Sequence, residues 1–270
     1  MRYNLKARRK IKGWFSEIDN KIFETLLIQQ NGSGIVGSTA EIGLHHGKSF
    51  IPLCLHLKAT ELAYGIDLFD QQSQNLDHSG NGSKNRVINN LMGFNVKENQ
   101  YILDGRSSEE VLPAEILTKA GRVRFFSIDG GHWKSIVIKD LELADSVLAP
   151  GGVIALDDYL RPDWPEVAMG FHDWLTKNND RYAIFAIGFN KVYVCEKNFV
   201  GLYQKALSEI TYLEFMKRKV YKLDGIEVPI YFTFFLPEWN MRARAYGYFQ
   251  LFHPIFFVRF KTFRSLRRSH

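Results

Sequence analysis

At 270 residues the chain is long enough for one large α/β domain with appendages or for two small domains, and its 46% hydrophobic and 24% charged residues are ordinary for a soluble globular protein. Its two cysteines, Cys54 and Cys195, lie in separate apolar segments without CxxC spacing, which argues against a disulfide framework or zinc site and fits a reducing cytoplasm. The net charge of +6 is uneven: residues 239–270 carry seven Lys or Arg and no acid, so everything before them sums to −1.

The first 14 residues are basic (Arg2, Lys6, Arg8, Arg9, Lys10, Lys12) but lack the apolar run of a secretory signal. No run reaches the roughly 18 to 20 apolar residues that a spanning helix needs, so a protein integral to a membrane is not expected. Residues 13–30 place Phe15, Ile18, Ile22, Phe23, Leu26 and Leu27 at helical spacing, and Asn31-Gly32-Ser33-Gly34 ends that helix. A first strand is expected at 35–42, a helix over about 48–57, and a second strand at 63–67 that finishes in Asp67. The polar segment 71–84 cannot bury much and reads as a loop with the character of a mobile lid.

A helix at 85–93, a strand at 100–103, a helix near 108–120 and a buried strand at 123–128 follow, then a helix over 135–148. Ala149-Pro150-Gly151-Gly152 reads as a stop and turn before the next buried strand, which ends in Asp157-Asp158. Residues 165–177 are helical with Pro165 in the first turn, and 182–187 and 192–197 flank Gly188-Phe189-Asn190-Lys191 as a hairpin. Five strands alternating with helices and then a hairpin predict an α/β fold. The sheet is expected to be Rossmann-like, doubly wound, mostly parallel and seven-stranded, with the antiparallel hairpin at its C-terminal end. Outside that pattern lie residues 1–33, a basic segment and helix, and residues 198–270. The latter read as an α+β extension with a helix at about 199–219, a hairpin around Asp224-Gly225 and a basic aromatic tail.

Ligands of such sheets bind beyond the carboxyl ends of the strands, where the acids of this chain collect. Glu41-x-Gly43-x-x-x-Gly47-x-Ser49 falls at a strand-to-helix turn, where glycines let a ligand approach the backbone and helix N-terminal amides receive a carboxylate or phosphate. Asp67, 24 residues after Gly43, can accept both ribose hydroxyls of an adenosine-containing ligand. The dinucleotide fingerprint G-x-G-x-x-G is absent, since His45 and Lys48 stand where glycines would. Asp129, Asp157 and Asp158, at two neighbouring strand ends, suit a hard divalent ion such as Mg²⁺. His132 is placed to take a proton from a hydroxyl bound to that ion.

This order of motifs, with Asp104-Gly105-Arg106-Ser107, Ile128-Asp129-Gly130-Gly131-His132, Leu148-Ala149-Pro150-Gly151-Gly152 and Leu156-Asp157-Asp158-Tyr159, resembles the class I S-adenosylmethionine-dependent methyltransferases. It is closest to the metal-dependent O-methyltransferases of the macrolide-sugar type, and catechol O-methyltransferase is a more distant relative. The resemblance covers about 34–197 and implies a cofactor-binding core there, with S-adenosylmethionine and Mg²⁺ as cofactors. Glu41, Gly43, Gly47 and Ser49 would hold the methionine end, Asp67 the ribose, and Leu68 and Ser107 the adenine surroundings. Asp129 would face both cofactor and ion, Asp157 and Asp158 would complete the metal ligands, and His132 would be the general base. Gly131 departs from the family, which usually has an acid just before the histidine.

The acceptor implied is a hydroxyl of a small molecule or glycan. The tail at 246–268 interleaves aromatics with cations and contains Pro254, which argues against one uninterrupted amphipathic helix. Packing of its aromatics on the core or on a second subunit, as in a homo-oligomer, is the favoured reading. Peripheral contact with an anionic membrane surface is the next, and nucleic acid is disfavoured. From a different class, the chain could be a non-catalytic membrane- or RNA-binding module on the same fold. The intact acid set argues against that.

Overall fold

The computed structural model describes residues 3–71, 73 and 80–232, so half of the expected lid at 71–84 and the whole basic aromatic tail at 246–268 lie outside the described residues. In chain order the elements begin with α1 (Leu5–Arg8), α2 (Glu17–Gly32), β1 (Ser38–Ile42), α3 (Phe50–Leu55), β2 (Ala63–Ile66), α4 (Lys84–Gly93), β3 (Tyr101–Asp104), α5 (Pro113–Ala120) and β4 (Val123–Ile128). They continue with α6 (Lys134–Val147), β5 (Leu148–Leu156), α7 (Pro165–Lys177), β6 (Tyr182–Ile187), β7 (Val192–Glu196), α8 (Val200–Ser208), α9 (Thr211–Met216), β8 (Lys217–Leu223) and β9 (Ile226–Tyr231).

The strands form one sheet in the order β3-β2-β1-β4-β5-β7-β6-β9-β8. β3, β2, β1, β4 and β5 run parallel, and the strand order reverses beside β1, where a crevice opens at their carboxyl ends. β7 is antiparallel to both β5 and β6, as the hairpin signal predicts. The sheet carries nine strands because the Asp224-Gly225 hairpin joins it, β9 pairing parallel to β6 through Ile187 and Ile230. Both turn residues adopt positive φ, 47° and 83°, as a two-residue hairpin requires.

Alternation along the central strand divides the core. Phe125 packs with Phe23, Phe50 and Tyr203 from α2, α3 and α8, while Phe126 packs with Leu141, Phe171 and Trp174 from α6 and α7 on the other face. Both faces are therefore covered, which is why these strands read as continuous apolar runs.

Two expectations shift. The helix expected at about 199–219 breaks at Ile210, and from Lys217 the chain is strand, because pairing with β9 across the tight turn outweighs local helical spacing. The Pro150-Gly151-Gly152 stop lies inside β5, which starts at Leu148; Gly151 at φ 73° forms an irregularity that the register of β4 and β5 records as a shift. Among the described residues, no helix is long and apolar enough to cross a membrane.

One buried acid in the helical layer makes stability depend on pH. Asp140 of α6 is 1% exposed, its carboxyl oxygens have no hydrogen-bond partner among the described residues, and burial pushes it up to about 7. The folded chain thus holds this proton more tightly than the unfolded one. Its contribution to stability is present below about pH 4 and lost as the pH rises towards 7. Asp140→Asn, which cannot ionise, should gain on the wild type by on the order of 2 kcal/mol between pH 5 and pH 8 in urea denaturation, and a pH-independent difference would contradict the assignment.

Candidate functional site

Hydrogen bonds one step past the strand ends align the site. Asp129 N donates to Ile42 O at 2.9 Å, Asp157 N to Ile128 O at 2.8 Å, Gly43 N to Ile66 O at 2.8 Å and Asp67 N to Asp104 O at 3.1 Å. The residues that follow β1, β2, β4 and β5 therefore share one rim, around a cavity of about 500 Å³. Gly43, Asp67, Leu68, Ser107, Asp129, His132, Asp157 and Asp158 all line it. Glu41, Gly47 and Ser49 do not; they lie behind the wall, with Glu41 and Ser49 buried.

The glycine turn is built as its motif demands. Gly43 and Gly47 both have φ of 80°, and a Cβ on Gly43 would sit 1.8 Å from the carbonyl oxygen of Asp129. Asp67 accepts from the amides of Leu44 and His45 through Oδ2, both at 2.7 Å, and from that of Phe69 through Oδ1 at 2.5 Å. Burial still holds its carboxyl above the ordinary range against those three amides. Behind the turn, Glu41 accepts from Ser127 Oγ at 3.0 Å while its Oε2 has no hydrogen-bond partner among the described residues. Burial pushes this carboxyl up to about 7 against the pull of Lys191.

Across the cavity the acids form a connected set. His132 Nε2 lies 2.9 Å from Asp158 Oδ2, and the imidazole stacks on Trp164 with ring centres 4.2 Å apart at 11°. Asp158 adopts φ 55°, a left-handed conformation that aspartate tolerates better than most residues. Burial would raise its carboxyl, but hydrogen bonds from His132 and Asn190 hold it below the usual range. Asp129 is pushed well above that range, first by burial and then by the charges of Asp157 and Asp158. Ligand-type atoms of Asp129, His132 and Asp158 all fall within 4.8 Å of one another. Asp157 is 7% exposed and gives Oδ2 to Lys191 Nζ at 2.7 Å.

Residues 40–159 match the family described as a methyltransferase domain. That stretch of the chain is similar to a methyltransferase domain. No curated protein matches the chain in sequence. Among solved structures, the O-methyltransferase NovP is 14% identical with a TM-score of 0.56 over 66% of this chain and 80% of its own. A calicheamicin methyltransferase is 15% identical with a TM-score of 0.50 over 66% of this chain and 78% of its own. An O-methyltransferase from Bacillus cereus in complex with S-adenosylhomocysteine is 17% identical with a TM-score of 0.50 over 70% and 85%. Family match and shared fold bear out the resemblance to class I S-adenosylmethionine-dependent methyltransferases.

The cavity also takes in residues to which sequence reading gave no site role. Trp14, Trp133, Trp164, Arg106, Arg161 and Asn190 line the cavity, and buried Lys191 stands behind Asp157. Trp14 is 76% exposed and lies against His45, with ring centres 5.5 Å apart. Asn190 and Lys191 gave only a turn signal, although a lysine and an amide at the end of a strand hairpin beside an acidic edge are themselves a hint. Because Gly43 and Asp129 touch without room for a side chain, Gly43→Ala should destabilise the protein by ~2 kcal/mol or more, read as a drop in Tm. An unchanged Tm would show that the turn and β4 are not packed so closely.

Proposed function

We propose that the protein is an S-adenosylmethionine-dependent O-methyltransferase. It transfers a methyl group to a hydroxyl of a sugar, glycan or glycosylated small molecule, with Mg²⁺ at the acid cluster and His132 as general base. The observation that carries this reading is the His132–Asp158 pair, 2.9 Å apart, in the same cavity as Asp129, Asp157 and the glycine turn. A domain that only bound cofactor would have no use for an oriented imidazole there. The O-methyltransferases among its structural neighbours support the acceptor class.

Gly43 is assigned to the methionine end of the cofactor, with Glu41, Gly47 and Ser49 supporting its turn from behind the wall, Asp67 to the ribose, and Leu68 and Ser107 to the adenine surroundings. Asp129, Asp157 and Asp158 are assigned to the metal. The donor chemistry suits the ion: carboxylate oxygens are the hard ligands Mg²⁺ prefers, and Asp129 is raised first by burial and then by the charge of Asp157, against the pull of Lys191. When bound, a divalent ion makes a hydroxyl more acidic, and S-adenosylmethionine supplies an activated methyl group.

The chain's own residues do the rest. His132, held by Asp158 through Nε2, is assigned as the base that accepts the hydroxyl proton. Asp158 then stabilises the imidazolium, and Trp164 fixes the ring plane from below. Trp14 and Trp133 give the cavity apolar walls suited to the C–H faces of a sugar ring.

His132→Ala should lower kcat by about 10²- to 10⁴-fold while leaving the affinity for S-adenosylhomocysteine unchanged in isothermal titration. Turnover should disappear in EDTA and return with Mg²⁺. Full activity in EDTA would remove the metal from this reading, and no binding of S-adenosylmethionine or S-adenosylhomocysteine would remove the reading itself.

A further inference from the structure

Lys191 is a buried cation with an unusual set of neighbours. Its side chain is 1% exposed, and Nζ lies 2.7 Å from Asp157 Oδ2. The ammonium faces the rings of Phe15 and Phe23, 5.9 Å and 5.8 Å from their centres, so aromatic faces cover it on one side and acids on the other. Asn190, next to it, donates from Nδ2 to Asp157 Oδ1 and to Asp158 Oδ1, both at 2.7 Å. The turn between β6 and β7 thus holds three of the four oxygens of the acid pair, and the fourth, Asp158 Oδ2, meets His132.

The turn is itself anchored. Asp19 of α2 accepts from Asn190 N at 3.3 Å and from Tyr193 OH at 2.9 Å. Gly188 makes room for this, since a Cβ there would lie 1.9 Å from Asp19 Oδ1. None of Asp19, Asn190 or Lys191 falls within the residues matched to the methyltransferase family, 40–159.

We propose that Lys191 is a built-in counter-cation of the acid cluster, holding Asp157 when no divalent ion is bound and competing with that ion for its carboxylate. This rests on the metal-assisted reading given above. Two positive groups cannot share one buried carboxylate without mutual repulsion, and a buried carboxylate left alone is costly. The two cations are therefore alternatives at Asp157. Lys191 is in this sense a positioning residue: it touches neither cofactor nor acceptor but sets how tightly the site takes its ion.

Isothermal titration of the full chain with Mn²⁺ alone, and separately with S-adenosylhomocysteine, tests this on wild type and Lys191→Met. The variant should bind Mn²⁺ about ten-fold more tightly or better while its affinity for S-adenosylhomocysteine stays within about two-fold. Its Tm in EDTA should fall below that of the wild type, and Mn²⁺ should raise it by more than it raises the wild type. Mn²⁺ affinity in Lys191→Met equal to or below wild type overturns the inference, even where wild-type turnover proves Mg²⁺-dependent. Tight binding by the variant alone supports the inference, even where wild-type turnover proves independent of metal. Should Lys191→Met not fold in EDTA, refolding from urea with and without Mn²⁺ distinguishes the same two outcomes. Recovery with Mn²⁺ supports the ion as a substitute for the ammonium, and equal failure in both conditions rejects it.

Discussion

The parallel register of β1, β4 and β5 is the constraint on which the site rests. Ile42 pairs with Ile128 and Ile128 with Leu156, so Gly43, Asp129 and Asp157 leave the sheet side by side. Each acid's amide is tied to the carbonyl of the adjacent strand, which fixes where its side chain starts. A slip of one residue would turn Asp129 and Asp157 to the opposite face and bury the apolar set wrongly, so the same pairing that makes the core also places the carboxylates. Gly43 belongs to this packing as much as to any ligand, because the Asp129 carbonyl occupies the space of its missing side chain.

Buried charge appears at both ends of the sheet, and the two ends balance it differently. At the amino end, Arg124 is fully buried. Its guanidinium is shared among Glu61, Gln30 Oε1 and the carbonyls of Gly37 and His56, with Glu61 Oε2 at 2.9 Å. The pair is matched donor to acceptor, and no charge is left over. At the carboxyl end, Lys191 pairs with Asp157 and its charge also acts on Asp19, Glu41, Asp129 and Asp158, and burial has pushed Asp19 up to about 6 and Glu41 to about 7. One ammonium does not satisfy five carboxyls. Burial therefore acts on this end with fewer matched partners than at Arg124.

Much of this was legible in the sequence, for reasons that differ by feature. The strands β2, β4 and β5 announce themselves because both their faces are covered and they read as largely apolar runs. The acids at their ends follow from where each run stops, as at Ile128-Asp129 and Leu156-Asp157. The turn at Asp224-Gly225 was readable because its residues tolerate positive φ, yet the strand before it was masked by helical spacing between 199 and 219. The partner of Asp157 was not legible. A hydrophobic pattern says that a strand ends in an acid, whereas only the fold says that a turn 34 positions later brings Lys191 within 2.7 Å. The tryptophans of the cavity rim were equally silent, since Trp14 and Trp164 sit in irregular segments whose direction no periodicity encodes.

The N-terminal helix shows that the site extends beyond the matched domain. Ser16 caps α2 by accepting from Asp19 N, and its hydroxyl donates to Asp19 Oδ2 at 2.6 Å, so the residue that begins the helix also orients the acid on its first turn. That acid holds the amide of Asn190, and Asn190 holds both Asp157 and Asp158. A helix cap is thereby connected, in four residues, to the carboxylate facing His132. Loss of the first 33 residues would remove more than a packing layer: the turn carrying Asn190 and Lys191 would lose the anchor that sets its distance from the acid pair. The matched core therefore depends on its flank for the geometry of its own cavity.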